Sequence, residues 1–130
     1  MIVDSSAIVA VLAAEADAAS YAKAILDAHR CLLSAASYVE VSIVIDNSRH
    51  DHADALLDEF LAQSGIDIVP VTASQALLAR EAYRRYGKGR RHPAQLNYGD
   101  SFAYALAKET GEALLFKGGD FALTDIKPAL

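Results

Sequence analysis

A single cysteine, Cys31, stands in this chain of 130 residues. That excludes an internal disulfide and any zinc site built on cysteine, and it fits a reducing compartment. Within Cys31-Leu32-Leu33 the thiol reads as a small buried hydrophobe. No stretch approaches the roughly 18 uncharged apolar residues that would span a bilayer, and Met1-Ile2-Val3-Asp4 opens without the cationic and apolar regions of a secretion signal. The expectation is a cytoplasmic protein with no membrane partner. Internal repeats, low-complexity tracts and a linker are missing too, so residues 1–130 are expected to form one domain, large enough to fold without a metal or disulfide staple. Positive charge is scarce: 12 Lys and Arg against 17 Asp and Glu leave a net charge of −5. Spread evenly, that balance would make the chain a poor binder of nucleic acid. It is not spread evenly. Arg80, Arg84, Arg85, Lys88, Arg90 and Arg91 are opposed locally only by Glu81, so this segment is strongly cationic and the remainder strongly acidic.

Short apolar runs alternate with helical patterns. Ile2-Val3, Cys31-Leu32-Leu33, Ile66 to Val71 and Ala113 to Phe116 read as strands. Ser5 and Ser6 supply cap chemistry for a helix over Ala7 to Ala14, and a second helix runs from Ala16 to Ala28 with Ala18, Tyr21, Ala22, Ile25 and Leu26 at helical spacing. Ala35 to Asp46 is apolar nearly all round, the pattern of a buried helix. Asp51 to Gln63 is amphipathic with Ala55, Leu56, Phe60 and Leu61 inward, stopped by Gly65. Helices are also expected from Thr72 through Tyr86 and over Tyr98 to Lys108, with a loop over Gly87 to Asn97. Strands separated by helix pairs imply an α/β fold, a three-layer α/β/α sandwich around a mainly parallel sheet of four to five strands.

In such sheets ligands sit beyond the carboxyl ends of the strands, where two acids fall. Asp4 follows the first strand directly, and Asp120 follows the fourth across Gly118-Gly119. Each also has an ordinary role, Asp4 as a helix N-cap and Asp120 as a turn residue. Glu40 is the only charge between Cys31 and Ile45, and a carboxylate among Tyr38, Val39, Val41, Ile43 and Val44 is costly unless a cation pairs with it. The plainer reading puts Glu40 on a solvent stripe with Ser37 and Ser42. Asp100 opens a helix, either as its cap or in its first turn facing a cleft. Four converging acids would repel one another unless a divalent ion balanced them, and all-oxygen ligation suits Mg²⁺ or Mn²⁺ over zinc. The matching chemistry is phosphodiester hydrolysis. His50 and His52 form a His-x-His in a polar helix entry, far in sequence from the acids. Lys117, at the fourth strand's end, is either a phosphate contact or a surface lysine. Tyr83, Tyr86 and Tyr98 are candidates for stacking bases, with core packing expected for at least one.

The blocks Met1-Ile2-Val3-Asp4-Ser5-Ser6-Ala7, Ser34 to Glu40, Ala82 to Gly89, Leu96 to Ala107, Leu114 to Phe121 and Thr124-Asp125-Ile126, in this order and spacing, resemble PIN-domain ribonucleases of the VapC type, the toxin half of bacterial toxin–antitoxin pairs. The resemblance covers the chain from end to end. It implies a Mg²⁺-dependent endoribonuclease, with Mn²⁺ as a substitute, whose catalytic acids are Asp4, Glu40, Asp100 and Asp120. Asp4 and Asp100 would bind the metal directly and Ser6 would support the site. It further implies a VapB-type antitoxin that lays a helix in an apolar groove, an RNA substrate and a homodimer. Arg84, Arg85, Lys88, Arg90 and Arg91 would then form a cationic lip for RNA, against the plainer reading of a solvated helix end. The chain departs from the family at Gly119, where relatives commonly carry Asp, Glu or Asn, which leaves the number of metals open. Two other classes share parts of the pattern. A phosphotransfer domain of receiver or haloacid-dehalogenase type would need a second Asp at the Ser6 position, or an acceptor Asp after Val69-Pro70-Val71; neither is present. A non-catalytic binding module would use the acids only as caps.

Overall fold

Four strands, each only two to four residues long, are built from apolar side chains that alternate between two faces. A computed structural model describes residues 1–48 and 51–130. The strands are β1 (Ile2–Val3), β2 (Cys31–Ser34), β3 (Ile66–Val69) and β4 (Leu114–Leu115), all parallel in the order β3-β2-β1-β4. In register, Ile2 stands beside Leu32 and Leu114, and Val3 beside Leu115. Because side chains alternate along a strand, Ile2, Leu32 and Leu114 face one core while Val3, Leu33 and Leu115 face the other.

The helices are α1 (Ser5–Leu12), α2 (Ala18–Asp27), α3 (Ala35–Asp46), α4 (Ala53–Gln63), α5 (Ala73–Tyr86) and α6 (Asp100–Thr110). The first four bury Ile8, Tyr21, Ile25, Val41, Ile45, Leu57 and Leu61 on the Val3 face. The last two bury Ala82, Tyr86, Tyr104 and Leu106 on the Ile2 face. This is the expected three-layer sandwich, with four strands. Asp4, Ser34 and Thr72 cap α1, α3 and α5 by accepting backbone N–H groups. The bounds of α3 match the sequence reading because Ser34 marks its start. None of the described helices is long and apolar enough to cross a membrane. Cys31 is buried, and burial pushes its thiol pKa up.

Several faces differ from expectation. The buried stripe of α3 is Ser37, Val41 and Ile45; Val39 and Ile43 are more than half exposed, and Ser37 is not on the surface but fully buried. In α4 the inward set is Ala53, Leu57 and Leu61, with Leu56 and Ala55 outside. Leu26 of α2 likewise faces outward. The third strand ends at Val69, since Pro70 has no N–H to extend the ladder.

The topology fixes where a site can form. From β1 the chain crosses to β2 on one side, and β4 returns on the other side of β1. The crevice outside the carboxyl ends of β1 and β4 is therefore the switch point of the sheet, where open parallel sheets bind ligands.

Candidate active site

Asp4 leaves β1 at this switch point and is 2% exposed. Its Oδ2 accepts the Ser6 N–H at 2.9 Å and the Ser6 hydroxyl at 2.5 Å. The Ser6 hydroxyl oxygen in turn accepts the Lys117 N–H at 3.0 Å. One chain of hydrogen bonds thus runs from Lys117, two residues beyond β4, through Ser6 to Asp4, the residue after β1. The other oxygen, Asp4 Oδ1, is buried and has no hydrogen-bond partner among the described residues. Burial raises the Asp4 pKa, against the lowering effect of its Ser6 and Ser5 hydrogen bonds. Asp4 is thus both a helix cap and a carboxylate with one oxygen to spare.

Asp100 is the first residue of α6, with Gly99 as its N-cap. Its Oδ2 accepts the Asn97 N–H at 2.8 Å, and Asn97 Oδ1 accepts the Asp100 N–H at 2.8 Å. This reciprocal pair fixes the carboxyl against the helix start. Its pKa is pushed up to about 7, by burial first and then by the charges of Asp4, Glu40 and Asp120, with the Asn97 N–H pulling the other way. The four sequence-predicted acids therefore share one electrostatic neighbourhood. Glu40, on α3, has no ion-pair partner among the described residues; burial raises its pKa, followed by the Asp4 charge, while the Ser5 hydroxyl lowers it. Its carboxyl group lies directly against Gly99. Asp120 is exposed beyond the Gly118-Gly119 turn. A Cβ at Gly119 would meet nothing within 4 Å, so no steric constraint explains the missing acid there.

Among the described residues, no three His, Cys, Asp or Glu side chains gather closely enough to hold a metal by themselves. The donors are nevertheless of one kind, carboxylate oxygens, and one of them is an orphan. That set fits Mg²⁺, which commonly takes one or two carboxylates and keeps several waters. It does not fit zinc, and His52, the described half of the His-x-His, caps α4 in the left-handed region at φ 61; His50 lies outside the described residues.

The basic segment leads along the chain into the start of α6. Arg84 and Arg85 sit in the last turn of α5. The loop that follows is closed by Lys88 N–H to Leu96 O at 2.9 Å and Leu96 N–H to Tyr86 O at 2.8 Å, which delivers the chain to Asn97 and Asp100. Arg84, Lys88, Arg90 and Arg91 are exposed with no carboxylate in ion-pair reach among the described residues. Arg85 is engaged elsewhere. Its guanidinium lies 4.8 Å from the centre of the Tyr86 ring and 3.8 Å from Asp125, which also accepts from Tyr104 and Lys108. Lys117 is not a free phosphate contact: its ammonium pairs with Glu15 and Asp17, and these raise its pKa. Tyr86 is core, stacked edgewise on His92, whereas Tyr98 is 75% exposed.

Beside the acids runs an apolar groove of about 430 Å³ between Ala36, Val39 and Ile43 of α3 and Tyr98, Gly99 and Phe102 of the α6 entry, with Glu40 in its wall. Sequence reasoning missed it, because a helix apolar all round gives no sign of which stripe stays open.

A family model described as PIN domain matches residues 1–127. The VapC ribonuclease Mb0625 of Mycobacterium bovis and the ribonuclease VapC28 of Mycobacterium tuberculosis are each 49% identical over 130 residues, covering 100% of this chain and 98% of theirs. The ribonuclease VapC42 of Mycobacterium tuberculosis is 45% identical over 129 residues, 99% of this chain and 98% of its own. Among solved structures, Mycobacterium tuberculosis VapC20, described as a sarcin-ricin loop cleaving toxin, matches 96% of this chain and 95% of its own with a TM-score of 0.76. At 16% identity that likeness speaks for the fold.

Proposed function

The chain belongs to the VapC ribonucleases of the PIN-domain family, and from that premise we propose that it cleaves RNA phosphodiester bonds with a divalent ion held by Asp4 and Asp100, and that a VapB-type antitoxin silences it. The observation that carries the metal reading is Asp4 Oδ1, a buried carboxylate oxygen without a hydrogen bond among the described residues. Leaving such a group unsatisfied is costly, so it calls for a cation. Mg²⁺, or Mn²⁺ in its place, would act there as a Lewis acid toward a phosphoryl oxygen and make a water more acidic.

The protein's own groups have separable tasks. Ser6 holds Asp4 Oδ2, which leaves Oδ1 for the ion. Burial and the neighbouring acids push the Asp100 pKa up to about 7, and a bound cation would favour its charged form. Glu40 and Asp120 complete the acidic pocket and orient the attacking water. Arg84, Lys88, Arg90 and Arg91 offset the repulsion between this pocket and RNA phosphates, and Arg85 adds its charge from its place on Tyr86. The Val39 and Ile43 groove takes the apolar face of an antitoxin helix, with Glu40 receiving a basic side chain. A homodimer and a cytoplasmic place of action belong to the same reading.

The test uses Asp4→Asn and Asp100→Asn in the full chain. Both are expected to lose Mg²⁺-dependent RNA cleavage and to bind Mn²⁺ at least tenfold more weakly by calorimetry, and sedimentation of the unaltered chain should show a dimer. Full-rate cleavage by either variant overturns the ligand assignment. Mn²⁺ that leaves the thermal stability of the unaltered chain unchanged favours a non-catalytic binding module.

A further inference from the structure

Tyr98 and Phe102, which border the apolar groove, also border a second cleft of about 210 Å³, between Ala79, Arg80 and Tyr83 of α5 and Tyr98, Ser101 and Phe102 at the start of α6. We propose that this cleft is a nucleobase subsite, in which an RNA base next to the cleaved phosphate stacks on Tyr98 with the Arg80 guanidinium beside it. The proposal rests on the ribonuclease reading and adds a binding site to it.

Three observations converge on a base. The first is the placement of Tyr98, two residues before Asp100 on a segment held at several points. The Tyr98 carbonyl accepts the Ser101 hydroxyl at 2.6 Å, Asn97 and Asp100 exchange hydrogen bonds, and Gly99 lies against Glu40. A large aromatic side chain on such a segment is normally drawn into the core, yet this one stays three-quarters exposed. Its ring stands at 81° to Phe102, with centroids 5.0 Å apart. Phe102 therefore fixes the ring without stacking on it, and aromatic surface is left for another planar group.

The second is charge. No Asp or Glu lines this cleft, and Arg80 has no carboxylate in ion-pair reach among the described residues. Arg80 also precedes Arg84 by one helical turn, so it continues the cationic face of α5. The apolar groove carries Glu40 and suits a cationic visitor, whereas this cleft suits an electron-rich or anionic one. Guanidinium planes and aromatic rings are the side chains on which unstacked RNA bases settle.

The third is size. The volume of about 210 Å³ lies below the roughly 300 Å³ of sites for drug-sized ligands, and a single planar ring needs no more. Stacking tolerates any base, so the site positions a single strand before it selects a sequence.

The test compares binding of short fluorescein-labelled oligoadenylate and oligouridylate, and of a ribose-phosphate chain of the same length without bases, by fluorescence anisotropy of the full chain. Tyr98→Ala is expected to weaken binding of the base-bearing RNAs by about 5- to 100-fold while leaving the abasic chain unaffected. Tyr98→Phe should keep binding within about twofold, since the ring and not the hydroxyl does the stacking. Arg80→Ala should weaken the base-bearing RNAs and reduce the salt dependence. Tyr98 is exposed, so its variants are expected to fold, and an unchanged melting temperature confirms it. Equal loss on base-bearing and abasic chains, or no loss with Tyr98→Ala, overturns the subsite. If cleavage still depends on Asp100 in that case, the ribonuclease reading stands and only the subsite falls. An unaltered chain that binds none of the three probes and cleaves no RNA overturns both.

Discussion

Gly99→Ala is expected to separate activity from stability. Gly99 sits at φ −62 and ψ −42, a conformation that alanine adopts freely. A Cβ there would collide with Glu40 Oε2 and lie 2.7 Å from its Cδ and 3.0 Å from its Oε1. Ordinary carbon–carbon contacts are roughly 3.5–4.0 Å, so the Glu40 carboxyl must retreat by about 1 Å. It is the far end of a flexible side chain, half-buried with a raised pKa, and moving it toward water costs the fold little. Removing a glycine where its conformation is ordinary stabilises by about 0.4–1 kcal/mol through the unfolded chain. The melting temperature should therefore hold or rise. Misplacing a group of the reacting site by about 1 Å costs on the order of 100-fold in rate, or about 2.7 kcal/mol of transition-state stabilisation. Single-turnover cleavage of a mapped RNA by Gly99→Ala, Glu40→Ala and the double variant measures this. If Gly99 acts only through Glu40, the double variant is no slower than Glu40→Ala. Cleavage by Gly99→Ala within threefold of the unaltered chain, or losses that simply add in the double variant, would refute the reasoning.

Three further outcomes follow from the site. Asp100, Asp4 and Glu40 all have folded-state pKa values above their unfolded ones, so the stability tied to their protonation is full below the ordinary carboxylate range and lost as pH rises toward about 7. Calorimetry of the metal-free chain should show a falling melting temperature between about pH 4.5 and 7, flatter in Asp100→Asn; a rise across that window contradicts the electrostatics. Ser6→Ala strips the hydroxyl partner from Asp4 Oδ2 and leaves the Lys117 N–H unpaired, and Mn²⁺ affinity should drop by roughly 10- to 100-fold in titration calorimetry; unchanged affinity would show that Ser6 does not orient the carboxylate. Ile43→Glu in the apolar groove should leave cleavage by the isolated chain intact while copurification with the antitoxin is lost, and retained capture would place the antitoxin elsewhere.

Much of this architecture was legible because local signals agreed. The run Ala35 to Asp46 announces α3, the apolar pairs Ile2-Val3, Leu32-Leu33 and Leu114-Leu115 announce strands buried on both faces, and Asp4 falls at the end of the first of them. Choosing between adjacent apolar residues was beyond the pattern. In α4, Leu56 and Leu57 sit side by side, as do Phe60 and Leu61, so two stripes fit equally and only packing against α3 and β3 decides for Leu57 and Leu61. The α3 helix offers the same ambiguity on a larger scale, which hid the groove at Val39 and Ile43. The choice between the two readings of Lys117 was out of reach for a different reason: its partners Glu15 and Asp17 are about a hundred residues away in sequence. The role of Gly99 depends on a contact between α3 and α6 that no local spacing encodes.

The hydrogen bond from Lys117 to Ser6, and the pairing of β1 with β4, tie the first acid of the chain to the last strand of the sheet. Synthesis delivers Asp4 first, but the strand that flanks it is Leu114–Leu115, and that strand is itself sealed by Leu114 N–H to Lys127 O and Ala129 N–H to Leu114 O. The carboxylate at the end of the first strand is thus held by groups more than a hundred positions later in the chain, so the acidic crevice is a property of the closed sheet and not of any local segment.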